Sequence, residues 1–187
     1  MPASPDRRQV IRAEIAGIVP FDGREAQTRQ AVLDWVDSGA ELFRRVKPAV
    51  PPCHLVSYFC VVTAGQVLLG DHRGADLWLP CGGHVEQGEH PRDTGMRECL
   101  EELRTPARLA SASPLFLTMT RTRGDSAGQH HDVSLWYVLT ACLGETFDFD
   151  RAEYRALRWF GWADIPTGQT DPELPRFLAK LACTGLV

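Results

Sequence analysis

The sequence predicts a single α+β or α/β sandwich, and three observations carry the prediction. Strand-like runs of β-branched and aromatic residues begin at His54 and recur to the C-terminal region. Segments with helical apolar spacing flank and interrupt those runs. The 187 residues, 44% of them hydrophobic, suit one domain with an added arm, and no internal repeat divides them. A chain of this length can bury about two-thirds of its unfolded surface, so it needs no disulfide staples.

Residues 1–50 differ from the rest. They are rich in charge and alanine, with Val32, Leu33, Val36 and Phe43 at roughly helical spacing. A helix is expected over 24–38, ending near Ser38-Gly39. The stretch VKPAVPP (46–52) reads as a hinge, because proline removes a backbone donor and restricts its predecessor. The expected division is therefore an N-terminal helical extension, 1–50, and a main domain, 51–187.

In the main domain, LVSYFCVV (55–62) and QVLLG (66–70), separated by a Thr-Ala-Gly turn, predict a hairpin. LWLP (77–80) predicts a short strand stopped by proline. Two further strands are expected over 114–122 and 132–140, the second with Val133, Leu135, Tyr137 and Leu139 on one face. The polar loop between them, 123–131, is expected at the surface. A last strand over 156–165 and a closing helix over 172–182 complete the set.

Composition narrows the function. The formal net charge of −4 disfavours coating of duplex nucleic acid, which calls for a basic surface. The 18 arginines, against two lysines, are scattered along the chain and read as coding bias rather than a phosphate patch. No run of 18 apolar residues is long enough to span a membrane, and the N-terminus lacks a secretory signal pattern. The six cysteines form no Cys-x-x-Cys pair and mostly sit in apolar runs, as expected in a reducing cytoplasm.

The chemistry concentrates in LWLPCGGHVEQGEHPRDTGMRECLEEL (77–103). Pro91 suits a first helical turn, and a helix is expected to run to Leu103. On a helical wheel, Met96, Cys99, Leu100 and Leu103 form an apolar stripe, with Glu98, Glu101 and Glu102 on the opposite side. Three like charges at this spacing repel by about 0.2–0.5 kcal/mol per pair, so a purely solvated acidic face is the plain alternative. Two features favour a site instead. The Cys81-Gly82-Gly83 turn allows a close backbone approach. Glu89, eight residues before Arg97, can pin the loop to the helix through a charge-assisted fork. Three carboxylates beside free carbonyls make an all-oxygen site suited to Mg2+ or Mn2+.

These residues resemble the Nudix box, G-x5-E-x7-R-E-U-x-E-E-x-G-U, where U is aliphatic. Gly83, Glu89, Arg97, Glu98, Glu101 and Glu102 all fall at its fixed positions. Cys99 and Thr105 replace aliphatic residues, and Arg104 stands where the pattern has glycine. The order of strands extends the likeness over 53–183, and the whole is similar to a bacterial nucleotide-type Nudix hydrolase with an N-terminal extension.

The resemblance implies an α/β/α sandwich with a mixed β-sheet and a divalent-metal-dependent hydrolysis of a nucleoside diphosphate linked to a moiety X. It implies Glu98, Glu101 and Glu102 as metal ligands with a backbone carbonyl of Gly82 or Gly83, and Glu89 as the structural partner of Arg97. Glu153, six residues before Trp159, and Glu98 compete for the role of general base. Weaker candidates are His130 and His131 for phosphate contact or proton transfer, Arg73 for phosphate, and Trp78 and Trp136 for base stacking. Cys81 reads as a packed thiol rather than a nucleophile. The arm either covers the pocket or packs in a homodimer. A ligand-binding module without turnover and a prenyl-diphosphate isomerase are the competing functions.

Overall fold

The computed structural model describes residues 6–47, 50–63, 65–122 and 129–186. Two helices come first: α1 (Arg7–Gly17), capped by Asp6, and α2 (Gly23–Asp37), capped by Asp22 through the Glu25 N–H at 2.8 Å. The helix expected over 24–38 is α2. No element was expected at α1, whose two buried residues, Ile11 and Ile15, are one helical repeat apart.

The strands are β1 (Cys53–Thr63), β2 (Gln66–His72), β3 (Leu77–Leu79), β4 (Cys81–His84), β5 (Phe116–Arg121), β6 (His131–Thr140) and β7 (Tyr154–Gly161). Helix α3 (Pro91–Leu103) follows β4, and α4 (Leu174–Ala182) closes the chain. The sheet runs β3-β2-β1-β6-β5, with β7 on β2 and β4 on β1. It is mixed: β1 and β6 are parallel and the other pairings antiparallel. The glycine turn expected at 81–83 is a strand, because Tyr58 and Ser57 of β1 pair with Gly82 and Gly83.

Strand alternation sends odd and even residues of β1 and β6 to opposite faces. Leu55, Val133, Leu135 and Tyr137 pack with Ile11, Ile15, Val32 and Val36. Farther along that face, Phe59, Val61 and Leu139 pack with Cys99 and Leu103 of α3. On the other face, Cys60, Val62, Trp136 and Val138 pack with Leu174, Phe177, Leu178 and Leu181 of α4. The fold is thus the expected α/β/α sandwich around a mixed sheet, and the extension contributes to its core.

Three ion pairs join α2 to the α4 region. Lys180 reaches Glu25 at 2.8 and 3.0 Å, Arg176 reaches Asp22 at 2.6 Å, and Arg24 meets Glu173. Glu25 also accepts from the Leu117 N–H of β5 at 3.2 Å and the Phe21 N–H at 2.6 Å. Leu117 lies on the terminal strand of the sheet, so this carboxylate satisfies a donor on its open edge. Among the described residues, no helix is long and apolar enough to cross a membrane.

A candidate active site at the split strand

β1 changes partner along its length. Its Val56–Phe59 stretch pairs with β4, and Val62 and Thr63 pair with β2. A cavity of about 490 Å³ lies where β2–β3 and β4 part, lined in part by Val56, Tyr58, His72, Leu79, His84, Glu98 and Glu153. Its size suits a small molecule.

Helix α3 delivers the carboxylates, but with a different face buried from the one expected. Cys99 and Leu103 are buried as the apolar stripe predicts, whereas Met96 and Leu100 are 42% and 56% exposed. Thr94, Gly95 and Glu102 are buried in their place. The cause is close packing on β1: Gly95 has no side chain to hold the helix away from Ser57 and Phe59. The helix therefore rolls Glu102 inward.

The three acids consequently have three environments. Glu102 is 1% exposed; its Oε2 accepts from the Gly82 N–H at 3.2 Å, and its Oε1 has no hydrogen-bond partner. Burial, then the charges of Glu153 and Glu98, push its carboxyl well above the usual range. Glu98 lines the cavity, and burial raises its carboxyl too, against the opposing pull of Arg97. A Cβ built at Gly83 would overlap the Glu98 carboxylate, so glycine there makes the space this acid occupies. Glu101 is the most exposed of the three and pairs with Arg97 at 3.2 Å.

Arg97 organises the approach to the helix. Its Nε and Nη2 fork onto both oxygens of Glu89 at 3.0 and 3.1 Å, and its Nη1 donates to Glu98 at 2.9 Å. Burial tends to raise the Glu89 carboxyl, but Arg97 and Thr94 outweigh it and hold it below the usual range. The extension braces the same loop: Arg7 donates to the Gly88 carbonyl at 2.9 Å, and Glu14 lies 3.4 Å from His90.

Glu153 lines the cavity and its Oε1 is 3.4 Å from His72 Nε2. Its loop is fixed by the Asp150 N–H on the Glu102 carbonyl at 2.8 Å and by Arg73. Arg73 donates its backbone N–H to the Glu153 carbonyl and its side chain to the Arg151 carbonyl, both at 2.9 Å. It braces this loop and is not among the cavity-lining residues. Trp78 packs edge-on against Phe160, ring centroids 5.2 Å apart, and Trp136 is fully buried. Cys81 is buried, which raises its thiol well above the usual range and leaves it a packed group.

The loop expected to read substrate, 123–131, is described only from residue 129. His131 is exposed at the start of β6. His130 stacks on His54 with centroids 4.7 Å apart and lies 3.2 Å from Asp132. His54, His84 and Asp132 were not expected at the site, nor were Arg44, Arg45 and Lys47, which line the cavity from the segment after α2. The arginines were hidden in a chain rich in them. His54 and His84 are distant in sequence and meet only through sheet pairing. Burial pushes Asp132 up to about 6; burial and Arg44 push His84 down to about 3.

The family described as NUDIX domain matches residues 54–181. The chain therefore belongs to the Nudix family. Comparison with curated proteins gives no match. Among solved structures, it is similar to a MutT NUDIX hydrolase from Burkholderia pseudomallei, at 22% identity and TM-score 0.53, over 69% of this chain and 98% of that one. It is also similar to a NUDIX family hydrolase from Clostridium perfringens, at 20% identity and TM-score 0.53, over 70% and 97%. The E. coli dihydroneopterin triphosphate pyrophosphohydrolase shares 16% identity at TM-score 0.52, over 78% of this chain and 100% of that one. These likenesses concern the fold.

Proposed function

We propose that this protein is a divalent-metal-dependent hydrolase of the diphosphate linkage in a small nucleotide-type substrate, acting in the cytoplasm. The observation that carries this reading is Glu102: a carboxyl group with one oxygen unpartnered, pushed up by burial first and by two neighbouring carboxylates after it. An uncompensated buried acid of this kind is costly. A hard dication is the partner that suits an all-oxygen surrounding.

Glu98, Glu101 and Glu102, with the Gly82 carbonyl, would hold Mg2+ or Mn2+. Glu101 and Glu98 would turn from Arg97 to do so, leaving that arginine on Glu89. The bound metal would polarise the phosphoryl oxygens and acidify the attacking water. Arg44, Arg45 and Lys47 supply positive charge for the remaining phosphate oxygens. Glu153, oriented by His72, accepts the proton of the water that attacks phosphorus, and Glu98 is the competing base. The P–O bond to the departing phosphate breaks, and both products leave as phosphates.

The test is phosphate or pyrophosphate release from a panel of nucleoside triphosphates, oxidised nucleotides, nucleotide sugars and ADP-ribose. Release that needs Mg2+ or Mn2+ and stops with a chelator is expected. Tight binding of one panel member without release, whatever the metal, would overturn the reading in favour of a binding module.

A further inference from the structure

A second donor set adjoins the same cavity, with two of its members, His84 and Asp132, in the lining. His54 of β1, His84 at the end of β4, Asp132 of β6 and His130 just before β6 offer one ligand atom each, all within 4.8 Å of one another. The sheet causes this convergence: His54 faces Asp132 across the parallel pair, and His84 faces Val56 on the same strand, β1. Asp132 Oδ1 lies 3.4 Å from His54 Nε2, 3.2 Å from His130 Nε2 and 3.9 Å from His84 Nε2. A tetrahedral ion with bonds of 2.0–2.1 Å spaces its ligands about 3.3 Å apart.

The hydrogen bonds around the cluster aim lone pairs into it. His54 Nδ1 lies 2.8 Å from the Pro51 carbonyl, which can only accept, so Nδ1 carries the hydrogen and Nε2 presents its lone pair. His54 is 0% exposed, and its Nε2 has no hydrogen-bond partner. Asp132 Oδ1 is buried beside it, within 3.2 Å of the His130 ring. Thr122 Oγ1 sits 3.3 Å from His130 Nδ1, on the ring edge turned away from Asp132. His84 Nε2 accepts from the Arg44 guanidinium at 3.0 Å, so it too offers a lone pair. The bare Nε2 lone pair of His54 is destabilising at this depth unless a cation joins it.

We propose that His54, His84, His130 and Asp132 form a second metal site, separate from the α3 carboxylates and selective for zinc-like first-row ions. Imidazole-rich sets favour Zn2+ and Co2+ over Mg2+, which prefers oxygen. Binding displaces Arg44 from His84 and releases its guanidinium to the cavity.

Cobalt titration of the metal-free full chain in excess Mg2+ tests this by absorption. The expected result is one equivalent of Co2+ with the intense visible bands of a tetrahedral ion, displaced by Zn2+ but not by Mg2+. Glu102→Gln keeps those bands. His84→Ala and Asp132→Asn weaken Co2+ binding at least about tenfold, with folding checked by circular dichroism. Should either variant unfold, His130→Asn carries the same expectation. Absence of the bands, displacement by Mg2+, or equal loss in Glu102→Gln and His84→Ala would overturn the assignment. A failure here leaves the hydrolase assay untouched, since the two use different donors.

Discussion

Glu25 and Glu102 are both 1% exposed, yet their surroundings are opposite. Glu25 has the Lys180 ammonium and two backbone N–H groups on its two oxygens. Glu102 has one backbone N–H, one bare oxygen and two acidic neighbours. Burial alone therefore does not mark a functional carboxylate. What separates the two is whether the fold completes the pairing itself or leaves it for a ligand. The first acid fastens helices to a sheet edge, and the second holds open a demand for positive charge.

The strongest break of this contrast is Glu102→Gln. Turnover on the best panel substrate should fall more than about a thousandfold, equivalent to about 4 kcal/mol. The melting temperature should hold or rise, since a carboxyl whose ionisation burial and two acidic neighbours oppose is replaced by a neutral amide of the same shape. Activity near the wild-type level would remove Glu102 from the metal-binding set.

Glu25→Ala should do the reverse. It leaves Lys180 buried without a counter-charge and uncovers the Leu117 and Phe21 N–H groups. The expected loss is roughly 3–5 kcal/mol in denaturant unfolding. An unchanged unfolding midpoint would show that the α2–α4 tie carries no stability.

Glu14 sharpens the comparison from a third side. Burial pushes its carboxyl up to about 7 from 4.5. The folded state therefore binds this proton more tightly than the unfolded chain. The associated stability is fully present below 4.5 and lost as pH rises through 7. Glu14→Gln removes that loss, so its unfolding free energy should gain on the wild type between pH 5 and pH 8, by about 2–3 kcal/mol. A difference independent of pH would mean that Glu14 ionises in the folded chain as it does in the unfolded one.

The sandwich and the box positions were legible in the sequence because both are local patterns. Strand runs and the spacing of Gly83, Glu89, Arg97 and Glu98 need no knowledge of distant residues. The buried face of α3 was not legible, because hydrophobicity names Met96 and Leu100 while packing is decided by the missing side chain of Gly95. β4 was hidden for a similar reason, since paired glycines read as a turn until Tyr58 and Ser57 are known to face them. α1 offered few apolar positions. Arg104 was legible as a departure from the box pattern; it ends α3 with φ +53°, the left-handed geometry that glycine adopts freely. The histidine cluster was half visible: His130 stood out as a loop residue, whereas His54 and His84 gain meaning only from strand register.

The contact between α2 and β5 has a further bearing on how this chain can be handled. Trimming the segment ahead of residue 50 to obtain a minimal catalytic unit would strip away the cover of the outermost strand. Leu117 would then offer its amide to any neighbouring polypeptide, and the apolar sheet surface under α1 would be wetted at once. A shortened version should thus favour clumping over solubility, even though every box residue stays in place.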